Sequence, residues 1–149
     1  MKKFKFRLEK VLEHKLKLFE IAHEEYMVEF RVLQEEESKL ERIKDEYRRS
    51  MMTVIARTKK KFTIKELAVH YKYLFHLKRE MKNQVDVVFA QQQIVDKKRQ
   101  RLIEASQEKE ILVKLKEKRH KTYLYKVDSE EQKMMDDISN AKFIRQHIR

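Results

Sequence analysis

Cysteine, glycine, proline and tryptophan are all missing from the 149 residues. Without cysteine there is neither a disulfide nor a thiolate metal site. Without glycine no Gly-rich loop can cradle a phosphate, and without proline nothing breaks a helix from within. Long hydrophobic runs are missing as well. Charges interrupt every stretch, so no segment reads as a membrane span or a secretory signal, and a cytosolic location is the expectation. What is present is charge: 42% of the chain, with 37 Lys and Arg against 25 Asp and Glu and a net +12. The 41% of hydrophobic residues, at a mean hydropathy of −0.83, supply an apolar seam rather than a compact core. One elongated all-α domain is therefore expected.

The apolar residues keep strict time. From Leu12 every seventh residue is apolar through Phe19, Tyr26, Leu33, Leu40, Tyr47 and Val54. A second series runs Leu67, Leu74, Met81, Val88, Val95, Leu102. A seven-residue repeat holds one helix face against a partner, as in coiled coils. Polar residues interrupt both seams: Lys15, Glu29 and Glu36 in the first, Gln84, Gln91 and Lys98 in the second. Such residues lower stability and fix register.

Between the series lies one helix boundary, read from capping alone. Thr63 and Glu66 form a capping box, Phe62 can staple onto Leu67, and Lys59, Lys60 and Lys61 complement the negative pole of a helix ending before them. The expected elements are a helix over about 4–57, a turn over about 58–63 and a helix over about 64–145. With the chain reversed there, 54 meets 67, 47 meets 74, 40 meets 81, 33 meets 88, 26 meets 95 and 19 meets 102, apolar on both sides each time. This predicts a long antiparallel two-helix coiled-coil hairpin with an overhanging C-terminal helix. The alternative arrangement is one uninterrupted helix of about 200 Å that homodimerises.

The unequal arms leave everything beyond about residue 118 overhanging. Its stripe of Leu124, Val127, Met134, Ile138 and Ala141 has helical spacing and no partner in the first arm, which implies an outside partner. Ser129 with Gln132 reads either as a second capping box, hence a hinge, or as an ordinary helix serine.

Catalytic chemistry finds no carrier. The six histidines never fall at the i, i+4 spacing of helical metal ligands, and the carboxylates read as a solvated face. No catalytic, cofactor-binding or metal residue is expected, and no enzyme. Basic tracts around Lys2–Lys17 and Lys97–Arg119 leave a nucleic-acid-binding arm as the alternative function, although few aromatics accompany them to stack bases.

The termini resemble a known family. Phe4, Phe6, Leu8, Glu9, Val11 and Leu12, with the later Ala22, are similar to the opening F-x-F-x-L-E-x-V-L of FliJ, the coiled-coil component of the flagellar type III export apparatus. Gln132, Lys133 and Asp136 look like its Q-K-x-x-D-E, with Asp137 in place of Glu. The resemblance implies a non-enzymatic, cytoplasmic protein of flagellum biogenesis, and through it of chemotaxis, peripheral at the cytoplasmic face of the inner membrane through its partners. It implies a stalk that enters the hexamer of the export ATPase FliI and promotes its assembly, with links to the gate protein FlhA and to export chaperones, and no nucleic acid. Ring contacts would come from Lys2, Lys3, Lys5, Met134, Ile138, Lys142, Phe143 and Arg145. Gate contacts would come from Leu40, Tyr47, Tyr73 and Leu77, whereas Glu36, Ile43, Glu80 and Gln84 depart from the family's gate patch.

Overall fold

The computed structural model describes residues 3–60 and 63–148, and among them forms two helices and no strand. Helix α1 spans Glu9–Thr58 and α2 spans Ile64–His147. They pack against each other as a hairpin. Every member of both seven-residue series is buried or half-buried, so the stripe read from the sequence is the surface that leaves water. Packing divides the chain into two compact units, residues 20–103 and residues 1–19 with 104–149.

In the unit of residues 20–103, Leu33, Val54, Leu74, Leu77 and Val95 are buried, Val95 completely at 0% exposure. The polar interruptions are answered here. Gln84 Nε2 donates to the Glu36 carboxylate at 2.6 Å and to its backbone carbonyl at 3.0 Å. Seven residues along, Gln91 makes the same pair of bonds to Glu29 at 2.6 and 3.1 Å. One more heptad on, Lys98 reaches Glu25 at 3.1 Å. Glu36 thus opposes Gln84 and Glu29 opposes Gln91, each within one residue of the expected pairing. A seam hydrogen bond of this kind contributes about 1 kcal/mol, and an unanswered half costs more.

The turn lies where the capping residues place it, but among the described residues no side-chain hydrogen bond closes the Thr63–Glu66 box, and backbone bonds hold it instead. Thr63 precedes the first residue of α2 and its carbonyl accepts from Leu67 N–H at 3.2 Å. At the end of α1 the Thr58 hydroxyl donates to the Ile55 carbonyl at 2.7 Å, and Lys60 N–H donates to Arg57 O at 2.9 Å. The Arg57 guanidinium, which can only donate, binds His70 Nε2 at 3.2 Å and ties the two helix ends together. The staple residue Phe62 and Lys61 lie outside the described residues.

In the unit of residues 1–19 and 104–149, α1 begins at Glu9 rather than near residue 4. The physical reason is the alternation Phe4-Lys5-Phe6, whose period of two suits extended chain and places both rings on one side. Residues 3–8 run as a strap along α2. Phe4 meets His120 edge-on at 5.0 Å and lies 5.6 Å from the Tyr123 ring. Phe6 is buried, with the Arg119 guanidinium 6.0 Å over its ring. Glu9, in the first turn of α1, takes an ion pair from Lys116 at 2.8 Å. The strap moves the start of the uncovered stretch of α2 from about residue 118 to beyond Tyr123. That stretch runs on without interruption through Ser129 and Gln132, so the helical reading of Ser129 holds over the hinge.

Candidate functional site

From residue 130 to residue 148 every described side chain is exposed. The seam of α2 nevertheless continues there. Lys116, His120 and Tyr123 hold the strap, and the following steps of three and four residues lead to Val127, Glu131, Met134, Ile138, Ala141, Arg145 and Ile148. Steps of this kind stay on one helix face. Val127 is half-buried, while Met134 is 65% and Ile138 49% exposed. The uncovered face is therefore the same seam that α1 and the strap occupy earlier in α2, without an occupant among the described residues.

The ring-contact set divides on the structure. Met134, Ile138 and Arg145 share the seam face, and Lys142 flanks it. Phe143, nine residues after Met134, stands about 180° round the helix, and its ring lies 4.0 Å from that of His147. Lys3 and Lys5 are exposed members of the strap, beside Phe4 and Tyr123. From Tyr123, Met134 is about 16 Å and Arg145 about 33 Å further along the axis. Lys2 lies outside the described residues.

The charge around this face is mixed rather than basic. Residues 124–148 carry Lys126, Lys133, Lys142 and Arg145 against Asp128, Glu130, Glu131, Asp136 and Asp137. The excess of cations sits earlier, at the strap and the adjoining part of α2. Several are engaged within the chain: Lys116 with Glu9, Lys15 with Glu108 at 2.7 Å, Lys109 4.1 Å over the Phe19 ring and Arg119 over Phe6. Cations held this way are less available to phosphates, which disfavours the nucleic-acid arm.

The gate-contact set lies in the unit of residues 20–103. Leu77 is buried at 4% exposure, and Leu40 and Tyr47 are half-buried in the seam. Tyr73 is 42% exposed and donates its hydroxyl to Glu46 Oε1 at 3.1 Å. That bond, with desolvation and the charge of Glu46 behind it, raises the Tyr73 pKa above its ordinary value. Two of the four departures from the family's gate patch, Glu36 and Gln84, turn out to be each other's partners. This bond, then Lys39 at 3.0 Å, holds the Glu36 carboxyl below its ordinary range.

One feature escaped sequence reading. A groove over Tyr47, Met81 and Val85 is rimmed by Lys44, Arg48, Lys78 and Lys82. The signal was a cation pair at i, i+4 flanking the seam on each helix, visible only once the register is known. Among the described residues no cluster of His, Cys, Asp and Glu has metal-site geometry, and no helix is long and apolar enough to cross a membrane.

Comparison with known proteins points to one family. The family model described as "Flagellar FliJ protein" matches residues 4–147. Among solved structures, that of CT670 from Chlamydia trachomatis, described as a YscO homolog, is similar at 18% identity and a TM-score of 0.44, covering 93% of this chain and 94% of that one. No curated protein matches the chain.

Proposed function

The chain belongs to the flagellar FliJ protein family, and from that premise we propose that it acts in type III protein export as a non-catalytic stalk of the export ATPase. The observation that carries the reading is the unoccupied seam face of α2 beyond Tyr123, with Met134 and Ile138 exposed on it. A soluble monomer has little reason to align apolar side chains at seam spacing in water, because each removed from water on binding contributes about 1.5–3 kcal/mol. The ring of FliI is the partner that the family suggests, with Arg145 and Lys142 on or beside the same face. Phe143, facing the other way, would touch a different subunit from Met134, as a stalk inside a ring requires.

Engagement of the gate protein FlhA falls to Tyr73, the exposed member of its set, with Leu40, Tyr47 and Leu77 supporting it from the seam. Export chaperones and a peripheral place at the inner membrane follow from the same reading. The test is to mix the pure chain with FliI and follow ring assembly and ATP hydrolysis. The expected result is stimulation by the natural chain and its loss in Met134→Asp/Ile138→Asp, with hairpin stability unchanged. Absence of any stimulation by the natural chain would overturn the stalk.

A further inference from the structure

We infer that the uncovered face of α2 is also self-complementary, and that two copies of this chain pair through it as an antiparallel two-helix coiled coil centred near residue 136. The inference stands on this chain alone and does not rest on the ATPase reading.

The first argument is continuity. Up to Tyr123 the seam of α2 is filled by α1 and then by the strap, whose last described ring contacts are those of Phe4 with His120 and Tyr123. Among the described residues the open seam begins beyond the contacts of Phe4, so a second helix laid along it follows the line of an interface the chain already uses. The second argument is complementarity. Reversing residues 124–148 about residue 136 sets Met134 against Ile138 twice at the centre and Leu124 against Ile148 at each end. Between them Val127 meets Arg145, and Glu131 meets Ala141. The flanks match as well. Lys142 comes beside Glu131 of the other copy, and Arg145 beside Asp128. Among the described residues none of these four makes an ion pair within the chain, so their charges are available. Asp136 points away from the seam, two residues and about 200° from Met134.

The third argument selects direction. A parallel pair would set the basic tract about Lys114, Lys118 and Lys121 beside its copy. The antiparallel pair separates the two Arg119 positions by about 50 Å along the axis, several screening lengths at physiological salt. Self-pairing and ring entry use Met134 and Ile138 alike, so the two states exclude each other. A paired copy is held out of the ring until it is released.

The test is sedimentation equilibrium of the full chain across the micromolar range. Dimerisation is expected, weakened about tenfold by Glu131→Lys or by Lys142→Glu, since two symmetric pairs turn repulsive in each. Combining both changes in one chain should restore the natural constant, because the swapped charges again oppose. Both side chains are exposed, and circular dichroism should show every variant folded. Because the chain has no cysteine, a nitroxide on Tyr125→Cys, an exposed position off the seam, reports direction: about 35 Å between labels if antiparallel. A chain monomeric throughout, a dimer indifferent to both charge reversals, no rescue by the double change, or a label distance short enough for a parallel pair would each overturn the inference. Each of these outcomes is read on the chain alone, without FliI, so a failure here is distinct from a failure of the ATPase reading.

Discussion

The seam over residues 20–103 and the face over residues 124–148 obey the same arithmetic yet differ in how their polar residues are answered. In the first, Gln84 has Glu36, Gln91 has Glu29 and Lys98 has Glu25 across the interface. In the second, Glu131 and Arg145 occupy seam positions with nothing among the described residues opposite them. Periodicity therefore announces that a face is built for a partner. Whether the partner lies within the chain is told by the polar residues, because an answered one fixes register at home and an unanswered one waits for its complement.

The comparison breaks most sharply under a charge placed at each seam. Val95→Asp puts an unpaired carboxylate at a fully buried position and should cost about 4 kcal/mol. Ile138→Asp should move stability by less than about 0.5 kcal/mol, as surface changes do. Urea unfolding followed by circular dichroism reads both. Comparable losses would mean that the residue-138 face is covered in the free chain.

These two positions also mark what was legible in advance. Val95 and Ile138 both lie on apolar stripes of helical period, and the sequence placed both on partner-facing surfaces. The buried series, the turn at Thr63 and the helical pairing follow from spacing and capping, which are local. The strap was not legible as such. Phe4 and Phe6 were noticed only as a motif, and the helix was expected to include them, because the absence of proline and glycine leaves no local stop signal. Their alternation prevails once Arg119, His120 and Tyr123 are there to receive the rings, and that contact joins residues more than 100 apart in the chain. The cation-rimmed groove at Tyr47 was hidden for the same reason. The ring-contact set is chosen by residue type and terminal position without regard to azimuth, so it groups Phe143 with residues on the other side of its helix.

A smaller effect sharpens the role of the answered polar residues. Gln91→Ala leaves the half-buried Glu29 unanswered and should cost about 2 kcal/mol. Glu29→Leu with Gln91→Leu should restore that loss or exceed it, since an apolar pair replaces a desolvated polar one. The gain should come with a loss of uniqueness: spin labels on the two helices should show a broader distance distribution in the Leu pair than in the natural chain. An equally narrow distribution would remove the register role from Glu29 and Gln91.

Acid should loosen the same seam in a predictable direction. The Glu36 carboxyl is held below its ordinary 4.5, first by Gln84 and then by Lys39. A depressed folded-state pKa contributes stability that is present above the unfolded value and lost as pH falls through the folded one. The urea midpoint should therefore fall as pH drops below the ordinary carboxylate range. In Gln84→Ala the midpoint should start lower and fall less. Parallel pH profiles for the two chains would show that Gln84 is not what holds Glu36.

The smallest expected effect is at Tyr73, the exposed member of the gate-contact set. Its hydroxyl donates to Glu46, and the raised pKa means that the neutral phenol is favoured in the folded chain. Stability from this bond is complete below the ordinary value of 10.0 and fades as pH rises through the folded one. Tyr73→Phe should thus leave the unfolding midpoint near neutral pH almost unchanged, as expected for a solvent-screened surface contact. In the ultraviolet difference titration, the natural chain minus Tyr73→Phe should show one phenol ionising later than an ordinary tyrosine. An ordinary titration would mean that Glu46 does not hold the ring in solution. Tyr73 would then be free to turn toward a partner without first giving up a bond, which would favour the gate contact proposed for it.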